Sequence, residues 1–375
     1  MDEGMSSEMR WRIRAKRIVV PVLAATLSAC ATLSDRHAVA PAFALDPADS
    51  TIVSEMRERD VTGLAFVPIR DCKPGPARYF GMADRDDAAA LGDDTVFEAA
   101  SISKAIFAYL VMGLVEDGIV DLDRPFALDI AYPRIVDQAA FGRMTPRMAL
   151  SHSTGMPNWA EDPTDKARLS EPIALVAAPG EGFHYSGEGY QLLEALVVKK
   201  SGQTLEALFR DRLGDLMPAS SFAEVRPGRI PAIGYRHRDD ELVATPASSP
   251  LAAKAAAGLL TTAPDLAAFV GHLCKREGLK SASYDEMWQI HNSFDPDGAP
   301  PERRITAHGM GLGFEIERAN EHDLVSHSGN NGDFMGFLAL DRTARDGIVY
   351  LTNDSEGLGA IAAIYGFYPW VETEE

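Results

Sequence analysis

Two short apolar runs, Thr62 to Ile69 and Ala77 to Ala83, flank the turn-forming segment Asp71-Cys72-Lys73-Pro74-Gly75-Pro76. This pattern predicts an antiparallel hairpin. From Ser101 to Glu116 the pattern changes. Ile102, Ala105, Ile106, Tyr109, Leu110, Met112 and Leu114 place apolar groups on several faces of a helix that Asp117-Gly118 ends. Such a helix must be buried almost all round. Between about 120 and 250, short helical patterns alternate with Pro/Gly breaks and few β-branched runs. Asp333 to Asp341 and Gly347 to Asn353 then flank Arg342-Thr343-Ala344-Arg345-Asp346 as a second hairpin, and Gly359 to Tyr368 reads as a short terminal helix. Strands at both ends with helices between predict an α+β fold, in which an antiparallel sheet built from both termini is flanked by helices and carries an inserted all-helical lobe. The expected body runs from 48 to 370, with an α/β lobe over about 48–118 and 250–370 and a helical lobe over about 119–249.

The first residues follow a different logic. Arg10, Arg12, Arg14, Lys16 and Arg17 precede an apolar run from Ile18 to Ala29. Twelve residues fall short of the roughly 20 a spanning helix needs, but suit the apolar core of an export signal. Leu27-Ser28-Ala29-Cys30 resembles the lipobox of bacterial lipoproteins. The resemblance implies a signal peptide over 1–29, acylation of Cys30, a linker over 30–47 and a lipoprotein on the periplasmic face of a membrane. Ala31, where an aspartate would argue otherwise, implies the outer membrane. A plain signal peptide with Cys30 incidental is the competing reading.

Charge and cysteines narrow the partners. The 375 residues carry a net charge of −19, although residues 1–29 are net basic, so the body repels nucleic acid and other polyanions. Only Cys72 and Cys274 follow Cys30, and their wide separation says nothing about proximity. Two separate, half-buried thiols are expected rather than a disulfide. No HExxH, CxxC or His/Cys cluster has metal-ligand spacing, so neither metal nor other cofactor is expected.

Ser101-Ile102-Ser103-Lys104 is an SxxK sequence, which chance alone supplies about 0.55 times in a chain of this composition. Its context adds weight. It opens the buried helix, and three residues' spacing puts the hydroxyl and the amine on one face. A desolvated lysine loses basicity and can accept a serine proton. Two further elements follow in order: Tyr185 within the Gly-rich stretch Pro179 to Tyr190, and His327-Ser328-Gly329 between the expected strands Asp323–Ser326 and Asp333–Asp341.

Together these residues resemble the class C β-lactamase and penicillin-binding-protein-like serine hydrolases, including esterase-like members. Supporting similarities are Thr145 to Pro157, Ala257 to Leu266 and Gly309 to Phe314. The resemblance implies a two-lobed fold with the site between the lobes, and an acyl-enzyme at Ser101 activated by Lys104. It also implies Tyr185 as general base and acid, its phenolate stabilised by Lys104. The oxyanion hole would be the N–H groups of Ser101 and Asn330, beside an edge strand carrying His327, Ser328 and Gly329. Two positions depart from the family's pattern. Gly187 stands where penicillin-interacting members carry asparagine, and His327 stands where many carry lysine. Both favour neutral esters or small amides over β-lactams.

Other features read as structural. His152 lies next to Ser153, but the chain has no GxSxG sequence. Gly309-Met310-Gly311-Leu312-Gly313 reads as a strand edge near the nucleophile helix, and Trp159 as a core or rim aromatic on the cleft side. Two rival functions stay open: a β-lactamase or D-amino-acid peptidase, and a non-catalytic peptidoglycan-binding protein.

Overall fold

The computed structural model describes residues 47–161, 170–239, 241–247, 254–295, 304–357 and 359. The expected signal peptide, Cys30, the linker before Pro47 and nearly all of the expected terminal helix lie outside these residues. Among the described residues, ten strands form the main antiparallel sheet. They are β1 (Gly63–Arg70), β2 (Lys73–Pro74), β3 (Arg78–Asp84), β4 (Ala89–Ala90), β5 (Asn292–Ser293), β6 (Ile305–Met310), β7 (Glu315–Ala319), β8 (His322–Asn330), β9 (Met335–Asp341) and β10 (Asp346–Thr352). The order is β5-β6-β7-β8-β9-β10-β1-β3-β4, with β2 paired to β1. Strand β10 pairs with β1 from Leu64↔Thr352 to Ile69↔Gly347, so both ends of the chain share one sheet, as the two hairpin patterns predict.

Apolar residues on both faces explain why these strands read as nearly continuous hydrophobic runs. Leu64, Phe66, Ile348 and Tyr350 face a cluster containing Ile52 and Met56 of helix α1 (Pro47–Glu58). The alternate residues Ala65, Val67, Val349 and Leu351 face the main core, which holds helix α2 (Ile102–Glu116). In α2, every residue from Ile102 to Leu114 is buried. It is the all-round apolar helix of the sequence pattern. The sheet covers one side, while Tyr190, Leu192 and Leu193 of helix α3 (Gly187–Ser201) belong to the same core.

Two expectations need correction. The lobe over 119–249 is not helical throughout. Ile230–Pro231 pairs with Thr95–Val96, and Ile233–Arg238 forms a hairpin with Glu241–Ala247. Pro231, Gly234 and Pro246 interrupt the apolar pattern there and hide the strands. The cysteines are also not separate thiols. Cys72 and Cys274 form a disulfide across 202 residues of sequence, with Cα atoms 5.2 Å apart. Helix α5 (Ala263–Lys275) brings them together by packing onto the β1–β2 turn, where a Cβ on Gly271 would meet the Cys72 carbonyl at 3.0 Å; α4 denotes the short helix Lys254–Ala257 before it. Closing so long a loop restricts the unfolded chain. Cys72→Ser with Cys274→Ser should therefore lower unfolding stability by roughly 2–5 kcal/mol. An unchanged denaturant midpoint would contradict this.

Candidate active site

Ser101 sits at the N-terminal end of α2 on a bent stretch of backbone. Ala100 before it has φ +48°, an uncommon conformation for a residue with a side chain. Ser101 itself is half-buried and so accessible, whereas Lys104, one turn on, has no exposed surface. The Lys104 Nζ lies 3.2 Å from Ser101 Oγ and donates to the Ala256 carbonyl of α4 at 2.8 Å. The rings of Tyr185 and Tyr190 lie 4.8 and 5.4 Å from the same nitrogen. Burial lowers the Lys104 pKa from 10.5 to about 7. An ordinary lysine would be an ammonium at neutral pH; this one exists in comparable amounts as a free amine, directly beside a hydroxyl.

Tyr185 is near enough to the same hydroxyl for Ser101 to act on its phenol, favouring the phenolate against the larger effect of burial. Here the structure departs from expectation. The phenol pKa is raised above its usual 10, chiefly by burial, and is not lowered by the lysine. The physical reason is placement. The Nζ lies over the face of the Tyr185 ring in a packed interior that penalises a phenolate. Tyr185 is therefore a neutral phenol, able to donate a proton but poorly suited to remove one.

His152 orients that phenol. Fully buried and with φ +57°, it stacks on Tyr185 with ring centroids 4.3 Å apart. Its Nδ1 accepts the Ser186 N–H at 2.9 Å. Burial holds its pKa well below 6.5. The structural role expected for His152 thus falls on a residue that touches the site. His184 instead bonds the Glu181 carbonyl within its own turn.

The opposite wall is β8. His327-Ser328-Gly329 lies within this strand rather than between two strands, and β8 is not an edge of the sheet: it pairs with both β7 and β9. It nevertheless offers a free edge locally. Pairing with β7 ends at Glu315↔Ser326, while pairing with β9 continues to Asn330↔Met335. Asn331 N–H donates to the Phe334 carbonyl. By the alternation of an antiparallel ladder, the Asn330 N–H then points away from β9 toward the unpaired side. Gly329 is required by contact, since a Cβ there would lie 2.4 Å from the Ala99 carbonyl. That contact presses β8 against the turn carrying Ser101. Gly313, φ +81°, similarly seats the turn after β6 on α2, where a Cβ would meet Ala108 at 2.2 Å.

His327 is buried, donates from Nδ1 to the Ser328 carbonyl at 2.7 Å, and leaves Nε2 without a hydrogen-bond partner among the described residues. Burial and Lys104 lower its pKa to about 4. It is thus neutral over a wider pH range than an unperturbed imidazole would be. Gly187 opens α3, two residues after Tyr185, and the indole of Trp159 fills the space its side chain would take: a Cβ would lie 2.4 Å from Cη2. Replacing Gly187 by asparagine alone therefore cannot restore an amide contact without moving Trp159. Sequence reasoning missed the placement of Trp159 and the Ala256 carbonyl. Both are tertiary contacts without a local motif, although a glycine in place of an expected side chain was a cue that something else fills the space.

Comparisons with known proteins agree with this architecture. The sequence profile described as Beta-lactamase matches residues 48–365. Esterase EstB of Burkholderia gladioli is 29% identical over 235 residues, covering 54% of this chain and 59% of that protein. Protein flp of Staphylococcus aureus (strain MW2) is 23% identical over 319 residues, covering 81% and 62%. The chain thus spans about three-fifths of the length of these relatives. Among solved structures, an octameric penicillin-binding protein homologue from Pyrococcus abyssi superposes with TM-score 0.73 at 25% identity, covering 85% of this chain and 77% of that one. D-amino acid amidase from Ochrobactrum anthropi shares the fold with TM-score 0.65 at 20% identity, covering 85% and 99%. With the profile matched over most of its length, the chain belongs to the beta-lactamase family.

Proposed function

We propose that this protein is a serine hydrolase that forms an acyl-enzyme at Ser101 and acts on neutral esters or small amides. The observation that carries the reading is the buried Lys104 amine, brought to a pKa of about 7 and set 3.2 Å from the Ser101 hydroxyl. As Oγ attacks the carbonyl carbon, neutral Lys104 accepts its proton. The N–H groups of Ser101 and Asn330 receive the developing oxyanion, an interaction worth about 3 kcal/mol per donor. Tyr185, a neutral phenol, passes a proton to the departing alkoxide and is reprotonated from Lys104. Water then attacks the acyl carbonyl as Lys104, neutral again after reprotonating Tyr185, accepts its proton and returns it to the departing Ser101 Oγ. This assignment moves the base from Tyr185 to Lys104.

The likeness to Esterase EstB supports the ester substrate, as do neutral His327 and the missing side chain at 187. Neither position supplies the paired polar groups that a β-lactam's carboxylate and amide would need, and losing such partners costs discrimination heavily. The kcat/KM for a 4-nitrophenyl ester should exceed that for a cephalosporin by roughly 10³-fold or more. Comparable values would favour a β-lactamase or D-amino-acid peptidase, and turnover of neither would favour a peptidoglycan-binding role.

Tethering through Cys30 is part of the same proposal, motivated by the lipobox-like run. The Cys72–Cys274 disulfide supports an oxidising, exported setting. Two or three acyl chains, at about 0.8 kcal/mol per buried CH₂, would hold the body on a membrane. Cys30→Ser produced in a bacterial host should move the protein from the membrane pellet to the soluble periplasm. An unchanged distribution, or a wild-type mass without acylation, would contradict the anchor.

A further inference from the structure

We propose that Trp159 determines specificity, forming with Gly187 an uncharged aromatic wall that holds an apolar group of the substrate beside Ser101. The inference rests on the serine hydrolase reading and deepens it. Gly187 is the first residue of a helix and is not among the glycines with positive φ. No backbone conformation therefore explains it, and a glycine at a helical position is disfavoured relative to alanine. The indole explains it. A Cβ at 187 would lie 2.4, 2.5 and 2.7 Å from Cη2, Cζ2 and Cζ3, so the six-membered ring rests against the bare Cα.

Polar groups at the N-terminus of α3, where Ser186 is the N-cap, hold the loop that carries the ring. Ser186 Oγ donates to the Pro157 carbonyl at 2.8 Å. The Gly187 N–H is shared between the Asn158 side-chain oxygen and carbonyl, both at 3.0 Å. Glu188 N–H donates to the same carbonyl at 3.1 Å. Ala160 N–H donates back to the Glu188 carboxylate at 3.2 Å. That carboxylate, 1% exposed, is gripped by Arg134 at 2.8 and 3.1 Å. The loop on either side of Trp159 is thus stapled to the N-terminus of α3, two residues from Tyr185, whose ring lies against Lys104.

The chemistry of the wall selects its ligand. Trp159 is half-buried and keeps open surface. The neighbouring Glu188 is neutralised by Arg134, and His152 and His327 are uncharged. The charge of Lys104 lies at Ser101 and against the Tyr185 ring, while the indole face gains from burying hydrocarbon, most of all a second aromatic ring. The occupant is an aryl or larger alkyl substituent, carried on either the acyl or the alcohol side of the scissile bond.

The test reads ratios within each variant, so any general loss of competence cancels. On the acyl side, 4-nitrophenyl phenylacetate is compared with 4-nitrophenyl acetate; on the alcohol side, benzyl acetate with ethyl acetate. The wild type should prefer the aryl member of one pair by about 10-fold or more in kcat/KM. Trp159→Ala should remove that preference and Trp159→Phe should restore most of it. The pair that responds identifies which side of the bond the wall contacts. Gly187→Ala, which keeps the indole but displaces it, should lower the ratio and covers the case in which Trp159→Ala does not fold. Equilibrium binding of phenylacetamide against acetamide, followed by calorimetry, needs no turnover. Aryl selectivity that Trp159→Ala abolishes, in a protein that hydrolyses neither esters nor these amides, would uphold the wall and sink the hydrolase reading. Ester turnover with ratios unchanged in both pairs would overturn the wall and leave the hydrolase reading intact.

Discussion

Ser101→Ala should lower kcat/KM for a short-chain aryl ester by roughly 10³-fold or more, the scale seen when one member of a nucleophile–base unit is removed. The size follows from what remains. The backbone donors, the β8 edge and the Lys104 amine persist, so the variant still binds substrate, but no oxygen stands 3.2 Å from the base to attack it. Fold and stability should change little. Ser101 is half-buried, and its side chain accepts no capping bond in α2. Near-native turnover by this variant would end the acyl-enzyme account.

Lys104→Met should cost activity on the same scale while making the protein more stable in acid, a pairing that a merely structural lysine would not produce. The lysine pKa is 10.5 unfolded and about 7 folded. The unfolded chain therefore binds more protons between these values, so wild-type stability rises with pH across this window. At and below pH 7 the buried amine opposes folding by on the order of 4 kcal/mol. Methionine removes this penalty but strands the Ala256 carbonyl, which takes back about 1–3 kcal/mol. Urea midpoints should show a net gain for the variant at pH 6 that shrinks toward pH 10. In the wild type, kcat/KM should rise with pH through about 7 as the amine loses its proton. A variant less stable than wild type at pH 6, or a pH profile flat from 5 to 9, would contradict the role of Lys104.

How legible the site was depended on distance along the chain. Ser101 and Lys104 were readable because the helix itself sets their spacing, and the apolar positions around them announced the burial that makes the amine a base. Tyr185 and His327 came from resemblance, and their protonation did not follow from it. Whether a lysine lowers a neighbouring phenol depends on whether its Nζ meets the oxygen or the ring face, and no motif encodes that. Both hairpins of the main sheet were visible as apolar runs around polar turns. The pair Ile233–Arg238 and Glu241–Ala247 was not, because its glycine and prolines dilute the pattern. The Cys72–Cys274 bond depends on where α5 crosses the β1–β2 turn, a fact of packing. The contact of Trp159 with Gly187 is of the same kind.

The most direct measurement is to treat the protein with a fluorophosphonate and locate the adduct by peptide mass spectrometry across a pH series. The account predicts one adduct, on the peptide carrying Ser101, formed at a rate that climbs through about pH 7 and absent from both Ser101→Ala and Lys104→Met. An adduct on another serine, or labelling of Ser101→Ala equal to that of the wild type, would contradict it.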